Sequence, residues 1–142
     1  MNTKILPCVC MSARRAANAL TYYYDKMFEN MGITVNQYSL MVNINSVGTT
    51  NITDLTRIVK LDKSTLTRTL APLIEVGYIY SERGKNRREV MLSLTKEGKV
   101  KLEEVSPVWQ KVQEEMVTLL GGAEDADKFV ETLIRLQSLK EK

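Results

Sequence analysis

Two helix-capping residues, Asn51 and Asp62, stand eleven positions apart near the middle of this chain, and what folds around them is two short helices joined by a tight turn. Asn51 is a good N-cap, and Asp54 follows on the first turn, where a carboxylate also meets the positive end of the helix dipole. The inner face of this first helix is expected to be Leu55, Ile58 and Val59. After Lys60 and Leu61, Asp62 opens a second helix in which Leu66, Leu70, Leu73 and Ile74 share one side. At about 100° per residue, Ser64 and Arg68 then point almost directly away from that side. Gly77 ends the helix, and Pro72 is expected to disturb only its rear half, beyond Arg68.

The flanks are mostly helical. Val9, Ala13, Ala16, Leu20, Tyr23, Met27 and Met31 recur every three or four positions, and Gly32 supplies a stop. Thr34 can cap a following helix with Tyr38, Met41, Val42 and Ile44 apolar, ended by Gly48. Beyond Gly77, Tyr78 to Ser81 and Glu89 to Leu94 read as two strands, the second alternating Val90, Leu92 and Leu94 against Glu89, Met91 and Ser93. Between them a long basic tip containing Gly84 and Asn86 makes the pair a β-hairpin. Thr95 can cap a long helix with a heptad-like seam of Leu102, Val105, Trp109, Val112, Met116 and Leu119, in which Pro107 should introduce a kink. Gly121-Gly122 breaks it, and a last helix carries Phe129, Val130, Leu133 and Leu136. The expected fold is mainly α with a small β-hairpin.

Composition removes most chemistry. At 142 residues there is little room for a separate catalytic domain. Histidine is absent, which takes away the commonest general base and metal ligand. With only Cys8 and Cys10, neither a four-thiolate zinc site nor a disulfide framework can be built within one chain, and a reducing cytoplasm is the expected location. Residues 1–11 hold one Lys and an apolar stretch interrupted by Pro7, so neither a signal peptide nor a membrane span is expected. No glycine-rich phosphate loop occurs, and no cofactor is expected. The neighbouring carboxylates Glu103-Glu104 and Glu114-Glu115 diverge along a helix and read as a solvated face.

Charge points elsewhere. Residues 57–88 hold eight basic and three acidic side chains, a surplus of five, whereas the rest of the chain holds twelve basic and fourteen acidic. Such a cluster is more often a solvated surface, so its placement decides. Here it coincides with a short helix, a tight turn, a capped second helix and a basic hairpin. In a helix-turn-helix the second helix enters the major groove while the first braces it. The candidates on that second helix are Lys63, Ser64, Thr65, Thr67 and Arg68; small hydroxyls permit close approach, and Arg68 is long enough for bidentate contact with guanine. The hairpin tip offers Arg83, Lys85, Arg87 and Arg88 to an adjacent minor groove.

These residues resemble the MarR family of winged helix-turn-helix transcriptional regulators. The resemblance runs from Ile33-Thr34-Val35-Asn36-Gln37-Tyr38 through Asp62-Lys63-Ser64-Thr65-Leu66-Thr67-Arg68 and Leu73-Ile74-Glu75-Val76-Gly77-Tyr78-Ile79 to Arg88-Glu89-Val90-Met91-Leu92-Ser93-Leu94-Thr95-Lys96-Glu97-Gly98. It implies a homodimer on a palindromic operator of double-stranded DNA, usually as a repressor. Residues 1–32 and 96–142 would form the dimer, and residues 33–95 the winged helix-turn-helix. Where the family commonly places an acid two positions before the wing Arg, this chain has Asn86, which can accept a hydrogen bond but offers no ion pair. The apolar first helix and the a/d seam also argue for a partner chain on local grounds, against an intramolecular bundle.

Two signals are implied by the resemblance. Cys10 falls where the organic-hydroperoxide sensors of the family, the OhrR type, carry their reactive cysteine, and Tyr24 falls on a tyrosine that contacts it there, although Val35 replaces a second one. Access to oxidant and a nearby Arg14 or helix N-terminus would suit such a role; a cysteine packed as a small hydrophobe is the alternative. On one helix Cys8 and Cys10 would point about 200° apart, which disfavours an internal disulfide and leaves a bond to a partner subunit open. The other signal is a small aromatic acid, for which Arg14, Tyr23, Tyr24, Asn36 and Tyr38 offer aromatic walls and a cation, against the plainer reading of most tyrosines as core. The rival to DNA binding is a winged-helix adaptor that binds proteins.

Overall fold

The computed structural model describes residues 7–86 and 88–141, and the chain divides into two compact units, Met1–Val105 and Ser106–Lys142. The first unit holds α1 (Val9–Met27), α2 (Val35–Val47), β1 (Thr49–Asn51), α3 (Ile52–Val59), α4 (Lys63–Glu75), β2 (Ile79–Arg83), β3 (Val90–Leu94) and the start of α5 (Lys96–Leu119). The second holds the remainder of α5, then α6 (Ala123–Gln137) and a short 3-10 turn, Ser138–Glu141. The fold is mainly helical with a small sheet, as expected.

Capping chemistry sets the boundaries. Thr34 and Gln37 form a reciprocal capping box, Gln37 N donating to Thr34 Oγ1 at 3.2 Å and Thr34 N to Gln37 Oε1 at 2.9 Å. Asn51 Oδ1 accepts from Asp54 N and Asp62 Oδ1 from Thr65 N, each at 2.7 Å. Thr95 Oγ1 accepts from Gly98 N at 3.0 Å at the start of α5. The first helix stops at Met27, short of the expected Met31, because the chain turns through residues 28–32 and leaves by Gly32 in the left-handed region, φ 76°. Pro72 and Pro107 lie inside continuous helices.

The sheet is larger than the hairpin read from sequence. A third strand, β1, joins on the free edge of β3, giving the antiparallel order β1-β3-β2 with Thr50 opposite Leu92 and Ser81 opposite the same Leu92. Its three residues are too few to show alternation, so the sequence signal was absent.

In the first unit Phe28, Met41, Ile44, Leu55, Leu66, Leu70, Leu73, Ile79 and Leu92 are fully buried. Three expected inner residues are not: Val42, Ile58 and Ile74 are exposed, while Leu40, passed over in the sequence, is buried. A helical wheel gives the direction of the apolar face but not its width, and in each of these helices the buried stripe is narrower or turned by one position. In the second unit Val112 and Ala126 are buried, whereas Leu119, Phe129, Val130 and Leu136 from the expected apolar seams are exposed.

Candidate nucleic-acid interface

The α3–α4 corner is built by a single backbone device. Lys60 adopts the left-handed conformation, φ 58°, closing α3, and Asp62 returns to extended backbone and caps α4 two residues later. With Leu66, Leu70 and Leu73 driven into the core, the opposite face of α4 is presented to solvent. Lys63, Ser64, Thr67 and Arg68 are all exposed there, and Thr65 is half-buried. The Thr67 hydroxyl donates to Lys63 O at 2.7 Å, and its oxygen keeps its acceptor capacity.

The wing is β2, β3 and the tip between them. Arg83, Lys85 and Arg88 are exposed; Arg87, the fourth cation assigned to the tip, lies outside the described residues. The tip closes on its own backbone, with Gly84 N donating to Glu89 O and Glu89 N to Asn86 O, both at 2.8 Å. Asn86 Oδ1 also accepts from Arg88 N at 3.3 Å. The amide therefore folds the turn that presents Arg88, in place of an ion pair. On β2 the Tyr80 hydroxyl donates to Glu82 Oε2 at 3.0 Å; that carboxylate, by accepting the bond and by its charge, raises the phenol above its ordinary 10.0.

Sequence reasoning missed what joins the two elements. Asn51 Nδ2 donates to Glu89 Oε1 at 2.9 Å, while the same residue caps α3; Asp54 next to it pairs with Arg57, which is exposed. The Asn51–Glu89 contact spans 38 residues of sequence, beyond the reach of any local pattern.

Of the residues assigned to a ligand, Tyr24 and Tyr38 share a neighbour, Phe28, while Arg14 stands well apart from Tyr24. Tyr24 and Tyr38 pack edge-on against Phe28, with ring centroids 6.4 and 5.7 Å away; Tyr38 is buried in the core and Tyr24 is half-buried, which raises its phenol above 10.0. Arg14, Tyr23 and Asn36 are exposed. Arg14 is ten residues before Tyr24 on α1, about 15 Å along the axis. The open depressions of about 410 Å³ beside Lys101 and about 440 Å³ beside Arg57 are lined by other residues.

Cys10 is exposed in the first turn of α1, with Arg14 one turn further on. Fourteen residues separate it from Tyr24, about 21 Å along one helix, so the two cannot touch within a subunit. Cys8 is exposed at the N-cap position, outside the helix, so the helical rule that set the two cysteines 200° apart does not govern it. Among the described residues no group of His, Cys, Asp and Glu is placed to hold a metal ion, and no helix is long and apolar enough to cross a membrane.

Comparison with known proteins agrees with this geometry. The model of the MarR family matches residues 33–90, which take in α2, the helix-turn-helix and the wing as far as its last strand. YwoH of Bacillus subtilis strain 168, described as an HTH-type transcriptional regulator, is 27% identical over 128 residues, covering 90% of this chain and 88% of that protein. The transcriptional regulator MosR of M. tuberculosis, solved in complex with DNA, superposes with a TM-score of 0.86 at 27% identity over 95% of this chain and 97% of that one. A MarR variant from E. coli complexed with operator DNA shares the fold with a TM-score of 0.76 at 19% identity, over 89% of this chain and 91% of that one. In sequence across its helix-turn-helix and wing, and in fold along nearly its whole length, the chain is similar to transcriptional regulators of the MarR family.

Proposed function

We propose that this regulator binds double-stranded DNA sequence-specifically, as a homodimer on a palindromic operator, and acts as a repressor. One observation carries the reading: Lys63, Ser64, Thr67 and Arg68 stand exposed on the face of α4 opposite buried Leu66, Leu70 and Leu73, beside a wing carrying Arg83, Lys85 and Arg88. The MosR and MarR structures solved with DNA support it. Residues 33–95 are the reading module in this proposal, with Thr65 and Arg87 completing its contact set. Residues 1–32 and 96–142 form the dimer. Val9, Met11 and Leu20 on α1, and separately Phe129, Val130 and Ile134 on α6, are exposed apolar side chains that a second copy would cover.

Release is proposed to follow oxidation of Cys10, which is exposed at the positive end of a 19-residue helix. A small aromatic acid is the second route. Because Arg14 lies so far from Tyr24 on the same helix, an acid held by Arg14, Tyr23, Tyr24, Asn36 and Tyr38 together would have to seat between two subunits.

Operator titration across salt concentration tests the proposal. Affinity should fall steeply and linearly in log salt, as counterion release requires. Arg88→Ala should weaken binding to every duplex and reduce the salt slope by about 1, whereas Ser64→Ala and Arg68→Ala should also blur the preference for operator. Addition of cumene hydroperoxide should release the parent but not Cys10→Ser. Full operator affinity in all three DNA-face variants, or binding indifferent to salt, would favour a protein-binding adaptor instead.

A further inference from the structure

Beside the pairing of β1 with β3, one side chain with two partners ties the base of the wing to the helix-turn-helix. Asn51 uses its carbonyl oxygen to cap α3, accepting from Asp54 N at 2.7 Å, and its amide nitrogen to reach Glu89 Oε1 at 2.9 Å, with Asp54 Oδ2 at 3.2 Å from the same nitrogen. Glu89 is the residue just before β3, at the base of the wing. Gly84, in the tip just after β2, lies against it. A Cβ at that position would lie 3.1 Å from Glu89 Oε2 and 3.3 Å from Met91 Cγ, a tight fit against the carboxylate. Both bridge residues are half-buried, where a hydrogen bond to an ionised acceptor is stronger than one in open water.

We propose that Asn51 and Glu89 are a positioning pair that fixes the reach of the wing relative to α4, so that helix and wing can meet one duplex together. The inference rests on the DNA-binding reading and adds to it two residues that need not touch DNA. A wing already held in place makes its contact without the entropic cost of ordering it at the moment of binding, as for any preorganised second contact. Released from Asn51, the same cations would be present but less often in position.

Amide hydrogen exchange on the free protein tests the holding step without DNA. Glu89→Ala should speed exchange at the Gly84 N–H, which bonds to Glu89 O in the wing, and leave the Leu66 and Leu70 amides unchanged. Asn51→Ser should act alike, because serine keeps a capping oxygen but cannot reach Glu89. Glu89→Gln keeps an acceptor and should stay close to the parent. In operator titrations Glu89→Ala should cost about three- to tenfold in affinity, the range expected for one hydrogen bond. On an Arg88→Ala background it should cost nothing further, since the wing contact it positions is already gone. Unchanged Gly84 exchange in both Glu89→Ala and Asn51→Ser, or losses that add with Arg88→Ala, would overturn the proposal. If no variant and no parent binds any duplex, the DNA-binding reading fails, and the exchange result still decides whether the bridge holds the wing.

Discussion

Gly98 is the most confined of the described glycines. A Cβ there would overlap the Tyr78 carbonyl oxygen and lie 3.0 Å from its carbon. That carbonyl also accepts from Thr95 N at 3.1 Å, and the Thr95 hydroxyl donates to Gly77 O at 2.5 Å. The first turn of α5 is thereby docked on the chain entering β2, and only a residue without a side chain lets the backbones approach so closely. Gly98→Ala should destabilise the protein by about 1–3 kcal/mol, the usual range for overpacking. Helix propensity alone predicts the opposite sign, because alanine inside a helix is favoured over glycine by up to about 1 kcal/mol. Urea unfolding separates them: a lower midpoint supports the docking, and an unchanged or higher one opposes it. Ser64, Arg68 and Leu66 were legible one by one from their spacing. Gly98 and Glu89 were not, because what constrains each lies on a segment remote in sequence.

At the scale of elements, caps were the most legible feature and the narrow third strand the least. Thr34, Asn51, Asp62 and Thr95 each cap the helix their position suggested. β1 exists because β3 offers an unpaired edge, a circumstance that Thr49, Thr50 and Asn51 cannot announce by themselves. The same limit explains Val42, Ile58 and Ile74, whose exposure depends on how far neighbouring elements extend over each helix. Of the caps, Asp62 alone stands at the proposed reading end. Asp62→Ala should cost about 1 kcal/mol of stability, and so should Thr34→Ala on α2. Only the first should also weaken operator binding, because it frays the turn that presents Lys63 and Ser64. Equal DNA affinities for the two variants, measured under conditions where both remain folded, would show that the end of α4 is not the reading end.

Across the whole molecule, positive charge is concentrated in the central part of the chain. Residues 57–88 carry a surplus of five positive charges, while the rest of the chain carries two more acids than bases. The exposed apolar side chains of α1 and α6 lie outside that central segment. In the proposed dimer, the helices that pair two copies therefore do not compete for phosphate, and the two basic modules are left to face a duplex related by a twofold axis. This division was visible in the sequence, since it needs only residue order. The proposed seat of an aromatic acid was less so, because helix length keeps Arg14 apart from Tyr24 within one subunit. Hydroxyl-radical footprinting of the operator is the most direct measurement. Two symmetric protected tracts on one face of the duplex are predicted, centred about one helical turn, roughly 10 base pairs, or a multiple of it apart. One unpaired tract, or no protection even at low salt, would contradict a paired DNA reader.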